Sequence, residues 1–383
     1  MNPWQTPERL ALREMVTSFT EKELAPHLPA WEDAGEVPRD VHKKAADAGL
    51  LGIAFSEEVG GQGGDLIDGS IVSEAVVEAG GSTGLLAALF THGIAIPHII
   101  GSGNADLIDR YVRPTLAGEM IGSLGITEPG GGSDVANLRT RAVRDGDEFV
   151  INGAKTFITS GVRADFVTTA VRTGGDGYGG ISLLVIDKGT PGFTVARPLR
   201  KMGWHCSDTA ELSFDDVRVP ASQIVGEVDG GFILVMQQFV NERLGLAVQA
   251  YSTAQRALDL AVAHARDRET FGKPLITRQV IRHKLVDMHR RTAAARALSR
   301  QAIESAVAGD NADPAIILEA VMAKNQSVEA CEWVVSEAVQ IFGGMGYMRE
   351  SEIDRHYRDA RILGIGGGAT EVLNDLAAKL LGY

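Results

Sequence analysis

The helical stretch FVNERLGL contains a carboxylate whose neighbours could make it a base. Glu242 has Phe239 three residues before it and Leu246 four residues after it. Residues at these spacings share one face of a helix, so the carboxylate is expected to lie along an apolar stripe. A carboxylate in a water-poor, apolar environment has a raised pKa and becomes a competent general base. The alternative is a solvated glutamate on a helix surface.

A second stretch, GIGGGATEV, places three consecutive glycines at positions 366–368. Glycine is favoured where a side chain would block a close approach to the backbone. The stretch is therefore either a loose turn or a place where a ligand meets backbone N–H groups. An N–H group that faces a developing oxyanion stabilises it without any side chain. Arg243 follows Glu242 and either fixes the local geometry or forms a surface salt bridge.

Four further stretches are weak signals when each is taken alone. In LGITEPGGGSD (124–134) the glycines expose N–H groups that could approach an anion, and Ser133 adds a hydroxyl donor; a plain interdomain loop is the alternative. The structural alternatives for the other three are a strand end in TFITSG, a helix corner in RETFGKPL and a helix C-cap in QIFGGMGY.

Three blocks of the chain, which differ in their pattern of apolar and polar residues, must position these stretches. Residues 1–120 have helical patterns, beginning with Thr6 as N-cap and Pro7, followed by Leu10, Met15, Phe19 and Leu24 on one expected face. In residues 121–226, apolar and polar residues alternate over short stretches, which predicts strands. Hairpin turns are expected at Asp145-Gly146 and Asn152-Gly153. Residues 227–383 contain long helices with short connections, as in an antiparallel bundle.

Composition excludes several classes of function. The net charge of −13 argues against a nucleic-acid-binding protein, which needs a basic face. Cys206 and Cys331 have neither metal-site nor disulfide spacing, so no metal site is predicted. The start lacks a secretory pattern and the apolar runs are too short for a bilayer span. These features indicate a cytoplasmic protein.

In their order along the chain, the motifs resemble those of the acyl-CoA dehydrogenase family over essentially the whole length. The matching stretches are ITEPGGGSD, FITSG, KMGWHCSDTAELSFDDVRVP, RETFGKPL, QIFGGMGY and YRDARILGIGGGATEV. The resemblance implies a mostly α fold with a central β domain: an N-terminal helical domain, a β-barrel-like middle domain and a C-terminal four-helix bundle. It also implies a homotetramer that binds FAD and an acyl-CoA and passes electrons to an electron-transfer flavoprotein.

The resemblance assigns roles by position. Residues implied to line FAD within the subunit are Leu124, Ile126, Thr127, Gly132, Ser133, Phe157, Ile158 and Thr159, with the Thr159 hydroxyl near flavin N5. Residues implied to reach the FAD of a neighbouring subunit are Arg268, Phe271, Gln279, Gln340, Ile341, Phe342, Gly343 and Gly344. Implied substrate contacts are Ser133, Val240, Asn241, Arg243, Gly367 and Gly368.

One departure from the family pattern lies next to the glycine loop. The family usually has Gly-Thr-x-Glu where this chain has Gly368, Ala369, Thr370 and Glu371. All three residues after Gly368 are implied to face FAD, and the usual hydroxyl is either lost or supplied by Thr370.

The resemblance also implies which residue is the base. Many members keep a glutamate at the position of Gly367, and its absence here would fit an inactive enzyme. Members that resemble long-chain and isovaleryl-CoA dehydrogenases carry it on the first bundle helix, in the ERL context that Glu242 matches. The Gly367 N–H would then bind the thioester carbonyl.

The implied reaction is FAD-dependent α,β-dehydrogenation of an acyl-CoA to a trans-2-enoyl-CoA, in fatty-acid or branched-chain breakdown. An acyl-CoA oxidase that uses dioxygen and a non-catalytic protein that binds acyl-CoA or flavin are the alternatives. The sequence leaves the length and branching of the acyl chain open.

Overall fold

The computed structural model describes residues 2–383 and divides them into helices, then a sheet, then long helices. The expected architecture is confirmed. The first block contains α1 (Pro7–Phe19), α2 (Leu28–Ala34), α3 (Arg39–Asp47), α4 (Leu66–Glu78), α5 (Thr83–Leu89), α6 (His92–Ala95), α7 (Pro97–Gly101), α8 (Ala105–Leu107) and α9 (Arg113–Leu116).

The first helix begins where the sequence predicts, and the face expected from its spacing is buried only in part. The Thr6 hydroxyl accepts a hydrogen bond from the Arg9 N–H, which confirms the N-cap. Of the expected face, Leu24 is buried and Phe19 packs against the same core, whereas Leu10 and Met15 are 51% and 38% exposed. Val16 is buried instead, so the buried stripe of α1 includes a position that the expected face left out.

The middle block is one mixed sheet. Its strands are β1 (Gly122–Gly125), β2 (Arg141–Asp145), β3 (Glu148–Thr159), β4 (Phe166–Arg172), β5 (Ile181–Asp187), β6 (Phe193–Pro198), β7 (Thr209–Pro220) and β8 (Ile224–Val225). The strand order is β6-β7-β3-β2-β4-β5-β8, and β1 pairs with β4. Side chains of β3 and β7 share a core with those of β4 and β5, so the sheet folds over itself. No pairing joins β6 to β8 in residues 2–383, so the barrel-like sheet does not close.

The two expected hairpin turns have different outcomes. Asp145 pairs with Glu148, so Gly146 and its neighbour form the two-residue turn between β2 and β3. The turn expected at Asn152-Gly153 is wrong, because both residues lie inside β3 at a shift in register with β7. The Asn152 side chain pairs with Asp216 across this bulge. An extra residue in an antiparallel pair bends the strand without reversing it.

The third block is dominated by three long helices. They are α10 (Gly231–Asp267), α11 (Gln279–Ala308) and α12 (Pro314–Phe342); the short strands β9 (Glu269–Thr270) and β10 (Lys273–Pro274) follow α10, and α13 (Glu352–Ala360) and α14 (Thr370–Leu381) complete the chain. The helix α10 packs against both other long helices, and α14 packs against α12. From these positions we propose domain limits of 1–120, 121–226 and 227–383.

The length and hydropathy of the helices decide whether any of them could cross a membrane. No single helix among residues 2–383 has the length and apolar composition of a span. The pair Thr83–Leu89 and His92–Gly101 meets the criteria only when taken together across a 62° bend.

A buried ion pair joins the first block to the sheet. The Arg163 Nε donates to Asp208 Oδ1 at 2.6 Å, and both side chains are almost fully buried. The same guanidinium donates to the carbonyl groups of Val37 and Ala88 in the helical block. The contact between the helical block and the sheet therefore depends on the charge of Arg163, and Asp208 is the counter-ion of that charge.

We expect Asp208→Ala to destabilise the protein by about 3–5 kcal/mol, because it leaves the Arg163 charge buried without a counter-ion. The control is Asp145→Ala, which breaks an exposed pair with Arg218 and should cost less than about 1 kcal/mol. Thermal unfolding midpoints measure the difference. Equal shifts in the two variants would contradict this account of the domain contact.

Candidate active site

A cavity of about 1780 Å³ lies where the three blocks meet. The helical block contributes Leu86 and Phe90, the sheet block contributes the loop 126–136 and the end of β3, and α10 contributes one face. The loop between α13 and α14 closes another side with residues 365–369. The cavity therefore contains side chains from every block, as expected for a site that binds a large ligand.

Glu242 lines this cavity from α10. Leu246 is buried on the same side, as the helical spacing predicts. Burial raises the pKa of the Glu242 carboxyl above its usual value, and the charges of Arg243 and Lys324 oppose that rise. No hydrogen-bond donor among residues 2–383 contacts the carboxylate. The solvated-surface alternative is wrong: the carboxylate lines a largely apolar cavity and is free to accept a proton.

Gly367 lies opposite Glu242. Its φ is +63°, in the left-handed region that favours glycine. A Cβ atom built at this position would lie 3.7 Å from Glu242 Oε1 and would overlap Leu246 Cδ1. A glutamate at position 367 therefore requires Leu246 to move and strains the backbone, whereas the contact with Glu242 Oε1 is an ordinary van der Waals distance.

The N–H group of Gly367 also lacks a partner. No carbonyl or side-chain acceptor in residues 2–383 receives a hydrogen bond from it. Gly367 lines the cavity, so this N–H is open to solvent or to a bound ligand. A free N–H beside a free carboxylate can bind a carbonyl oxygen while the carboxylate removes the proton on the adjacent carbon.

Arg243 is buried beside the base. Its guanidinium lies over the Phe239 ring, with 5.4 Å from Cζ to the ring centroid. It forms no ion pair within the described chain, and its Nε has no partner. The surface-salt-bridge alternative is therefore wrong. Burial lowers the pKa of Arg243, and the charge of Glu242 opposes this effect.

The glycine-rich loop that follows β1 is held by a buried lysine of β3. The Lys155 Nζ donates to the carbonyl of Ile126 at 3.1 Å and to Glu128 Oε1 at 2.8 Å. Glu128 also accepts hydrogen bonds from the N–H groups of Arg139 and Thr140. Burial lowers the pKa of Lys155 to about 8, against the attraction of Glu128. The loop is therefore fixed at both its start and its end.

The residues around this loop fit FAD. Phe157 is 68% exposed and lines the cavity, and its φ of +60° is rare for an aromatic residue. An exposed ring held in an unusual conformation suits a flat aromatic ligand. At Gly130 and Gly131 a Cβ would meet nothing within 4 Å, so the backbone is open to approach by a phosphate.

Most of the residues expected to hold FAD and substrate within one subunit come together. The cavity is lined by Leu124, Ile126, Thr127, Gly132, Ser133, Phe157, Ile158, Thr159, Asn241, Glu242, Arg243, Gly367, Gly368 and Ala369. Val240 does not line it, because its side chain lies in the core with Ile71 and Leu244. Thr370 and Glu371 also lie outside the lining, in the first turn of α14.

The residues expected to reach a neighbouring FAD occupy another part of the molecule. Arg268 follows the end of α10, about 39 Å along the helix from Glu242. The ends of α10 and α12 meet there through His264 and Phe342, whose ring centroids are 4.2 Å apart. The expected set in this region is Arg268, Phe271, Gln279, Gln340, Ile341, Phe342, Gly343 and Gly344, none of which lines the cavity.

Sequence reasoning missed the two buried lysines, Lys155 and Lys324. Each lies at a position that periodicity assigns to the interior: Lys324 follows Val321 by three residues and precedes Val328 by four. That placement of a charged residue was the available signal. His205 does not line the cavity, and its ring bonds to the Lys201 carbonyl and to Arg358.

Comparisons with known proteins agree along the whole chain. Residues 6–119, 123–217 and 229–382 match the models for the N-terminal, middle and C-terminal domains of acyl-CoA dehydrogenase. The chain is 38% identical to the probable acyl-CoA dehydrogenase YngJ of Bacillus subtilis over 100% of both chains. It is 37% identical to the mouse mitochondrial long-chain specific acyl-CoA dehydrogenase, over 96% of this chain and 85% of the relative.

A solved structure is more similar still. A probable acyl-CoA dehydrogenase from Mycobacterium abscessus is 66% identical, with a TM-score of 0.97 over 99% of this chain and 100% of the other.

We expect Lys155→Met to weaken FAD retention by roughly 10- to 100-fold, because it removes a charged hydrogen bond that fixes the loop. The control is Lys188→Met, which removes an exposed lysine of the same block that donates to the Val162 carbonyl. Equilibrium dialysis of the purified variants against FAD measures retention. Unchanged retention in Lys155→Met would show that the loop does not depend on this ion pair.

Proposed function

Because the chain belongs to the acyl-CoA dehydrogenase family, we propose that it converts an acyl-CoA into the trans-2-enoyl-CoA with Glu242 as the base. One observation carries the assignment: a free carboxylate and a free backbone N–H, on Glu242 and Gly367, face the same cavity. The Glu242 carboxylate takes the proton from Cα of the thioester, and a hydride leaves Cβ. The burial that raises the pKa of Glu242 increases its strength as a base.

The Gly367 N–H has a separate task in this reaction. As the Cα proton leaves, negative charge develops on the thioester oxygen. A donor already in place at that oxygen stabilises the charge without reorganisation. The absence of a side chain at Gly367 leaves the donor accessible and leaves space for the carboxylate of Glu242.

The enzyme is a flavoprotein that binds FAD, which supplies the acceptor for the hydride. We propose that Thr127, Ser133 and Thr159 donate hydroxyl hydrogen bonds to it and that Phe157 contacts its ring system. All four line the cavity. Ala369 has no hydroxyl, and Thr370 lies outside the lining, so the contact that the family makes from this loop is absent in our proposal.

We propose that the acyl chain extends along α10 beyond Glu242. That part of the cavity is lined by Leu86, Phe90, Leu246 and Val248, which are apolar. At Gly245 a Cβ would meet nothing within 4 Å, so the helix leaves room at this point. This shape suits fatty or branched acyl groups and fits a role in their breakdown.

We propose that a second copy of the chain completes the FAD site, in a homotetramer. Arg268 and Phe271 lie too far from the cavity to reach a ligand bound in their own subunit. Phe271 is 98% exposed. Tyr347, which follows the 340–344 run by three residues, is 81% exposed. Exposed aromatic side chains of this kind mark interfaces.

We propose an electron-transfer flavoprotein as the electron acceptor. A structural relative, 32% identical with a TM-score of 0.91, comes from a study of the electron-transferring flavoprotein of Acidaminococcus fermentans. The fold alone does not exclude an oxidase, since the prolyl acyl carrier protein oxidase AnaB is 27% identical with a TM-score of 0.93. Reaction with air separates the two.

We expect Glu242→Gln to lower turnover by roughly 100- to 10,000-fold while acyl-CoA still binds, because the variant keeps its shape and loses the proton acceptor. The control is Glu227→Gln, an exposed glutamate that does not line the cavity. Anaerobic bleaching of the flavin on mixing with a panel of acyl-CoAs measures the half-reaction. Near-normal bleaching in Glu242→Gln would show that the base is another group.

The same sample identifies the acceptor. Wild-type protein bleached without air should regain its colour slowly when air is admitted and rapidly with an electron-transfer flavoprotein. Rapid recovery in air would identify an oxidase instead.

We expect Phe271→Asp to weaken both subunit association and FAD retention, because it places a charge in an interface that completes the cofactor site. The control is Tyr383→Asp, at another exposed aromatic residue, which does not line the cavity. Light scattering and flavin absorbance after dilution measure the two properties. A Phe271→Asp monomer that retains FAD as wild type does would exclude a shared site.

A further inference from the structure

Lys324 is a fully buried lysine with no acidic partner. It lies on α12, and its side chain has no exposed surface. Lysine is almost never fully buried unless its charge is paired. No carboxylate in residues 2–383 lies within 4.0 Å of its Nζ atom. A buried cation without a counter-ion is costly, so the position calls for a functional reason.

The ammonium group holds the glycine loop. The Lys324 Nζ donates to the carbonyl oxygen of Gly368 at 2.7 Å. The next residue, Asn325, donates from Nδ2 to the carbonyl of Thr370 at 3.2 Å and to Asn374 Oδ1 at 2.9 Å. Two consecutive side chains of α12 therefore fix the carbonyl groups on either side of Ala369.

The backbone of the glycine loop 366–368 needs the two carbonyl contacts to stay in one conformation. Gly367 and Gly368 have φ values of +63° and +101°. A Cβ at Gly367 would overlap Leu246, and one at Gly368 would lie 2.9 Å from Leu373 Cδ2. Glycines are required here, but glycine is also the residue with the most conformational freedom to lose. The direction of the free Gly367 N–H therefore depends on what holds the loop after it, including the Gly368–Ala369 peptide, whose carbonyl Lys324 binds.

We propose that Lys324 is a positioning residue for the dehydrogenation: it holds the Gly368 carbonyl and so fixes the glycine loop that presents the Gly367 N–H to the thioester oxygen. This inference rests on the proposed role of Glu242 as the base. Lys324 itself does not line the cavity, so it acts through the loop and through its charge.

The charges around the base agree with this role. Lys324 from α12 and Arg243 from α10 both lower the pKa of Glu242, against the effect of burial. Burial and Arg243 lower the pKa of Lys324 to about 8, whereas Glu242, Glu332 and Glu371 raise it. Removal of the Lys324 charge removes one of the two attractions that favour ionised Glu242. The pKa of Glu242 then rises, and the acid limb of the activity profile moves to higher pH.

Three substitutions separate the two effects. Lys324→Met removes both the hydrogen bond and the charge, Lys324→Gln keeps a donor without the charge, and Lys324→Arg keeps the charge. The control is Lys284→Met, which removes a bundle lysine that pairs with Glu337, away from the loop. Flavin content and thermal unfolding of each holoenzyme establish that the variant is folded.

Two measurements test the proposal. Hydrogen exchange of the amides in 364–371, followed by mass spectrometry, should quicken at least tenfold in Lys324→Met and little in Lys324→Gln. The acid limb of kcat/KM should move to higher pH in both the Met and Gln variants and stay in place in Lys324→Arg. In Lys324→Met, kcat should also fall roughly 10- to 100-fold, more than KM changes.

The outcomes distinguish this proposal from the one it rests on. If Lys324→Met and Lys324→Gln are folded and keep the wild-type acid limb, or if loop exchange is unchanged in Lys324→Met, Lys324 is only structural and the proposal fails. The base assignment would then still stand if Glu242→Gln is inactive. If Glu242→Gln is active, the base assignment fails first, whatever the Lys324 variants show.

Discussion

The active site depends on the balance between desolvation and charge at one carboxylate. Solvation would make Glu242 a weaker base towards the proton next to a thioester, whereas burial without cations would favour its protonated form. The structure lies between these limits. Burial raises the pKa of Glu242, and two cations, Arg243 and Lys324, lower it. Neither cation contacts the carboxylate as a hydrogen-bond donor, so the carboxylate remains free to accept the proton.

A buried lysine holds a glycine-rich loop on each of two sides of the cavity. Lys155 holds the glycine-rich loop after β1, and Lys324 holds the glycine loop before α14. Both are fully buried, and burial lowers the pKa of each to about 8. A cation in a medium of low dielectric binds carbonyl oxygens strongly. Each loop is therefore held in place by a lysine behind it, although both loops are rich in glycine.

The sequence predicts much of this arrangement because periodicity and caps are local properties. The long helices of residues 227–383, the cap at Thr6 and the shared face of Glu242 and Leu246 follow from spacing. The turn expected at Asn152-Gly153 is wrong because that dipeptide continues β3 opposite a bulge in the partner strand β7.

Other features depend on contacts between distant segments. Val240 adjoins two residues that line the cavity, but its own position on α10 faces the core. Lys155 and Lys324 lie at interior positions, and hydropathy gives no reason to expect a charge there. Their partners, Ile126 and Gly368, are 29 and 44 residues away in the chain, so only the folded structure brings these groups together.

The central claim is that Glu242 removes the Cα proton, and the most direct measurement isolates that step. In an acyl-CoA with sulfur in place of Cβ, no hydride can leave, but the Cα protons remain. The holoenzyme in D2O should exchange these protons for deuterium, as read by mass spectrometry, with a rate that falls as pH drops through the raised pKa of Glu242. Glu242→Gln should bind the analogue and not exchange it. Exchange at the wild-type rate in Glu242→Gln would contradict the account.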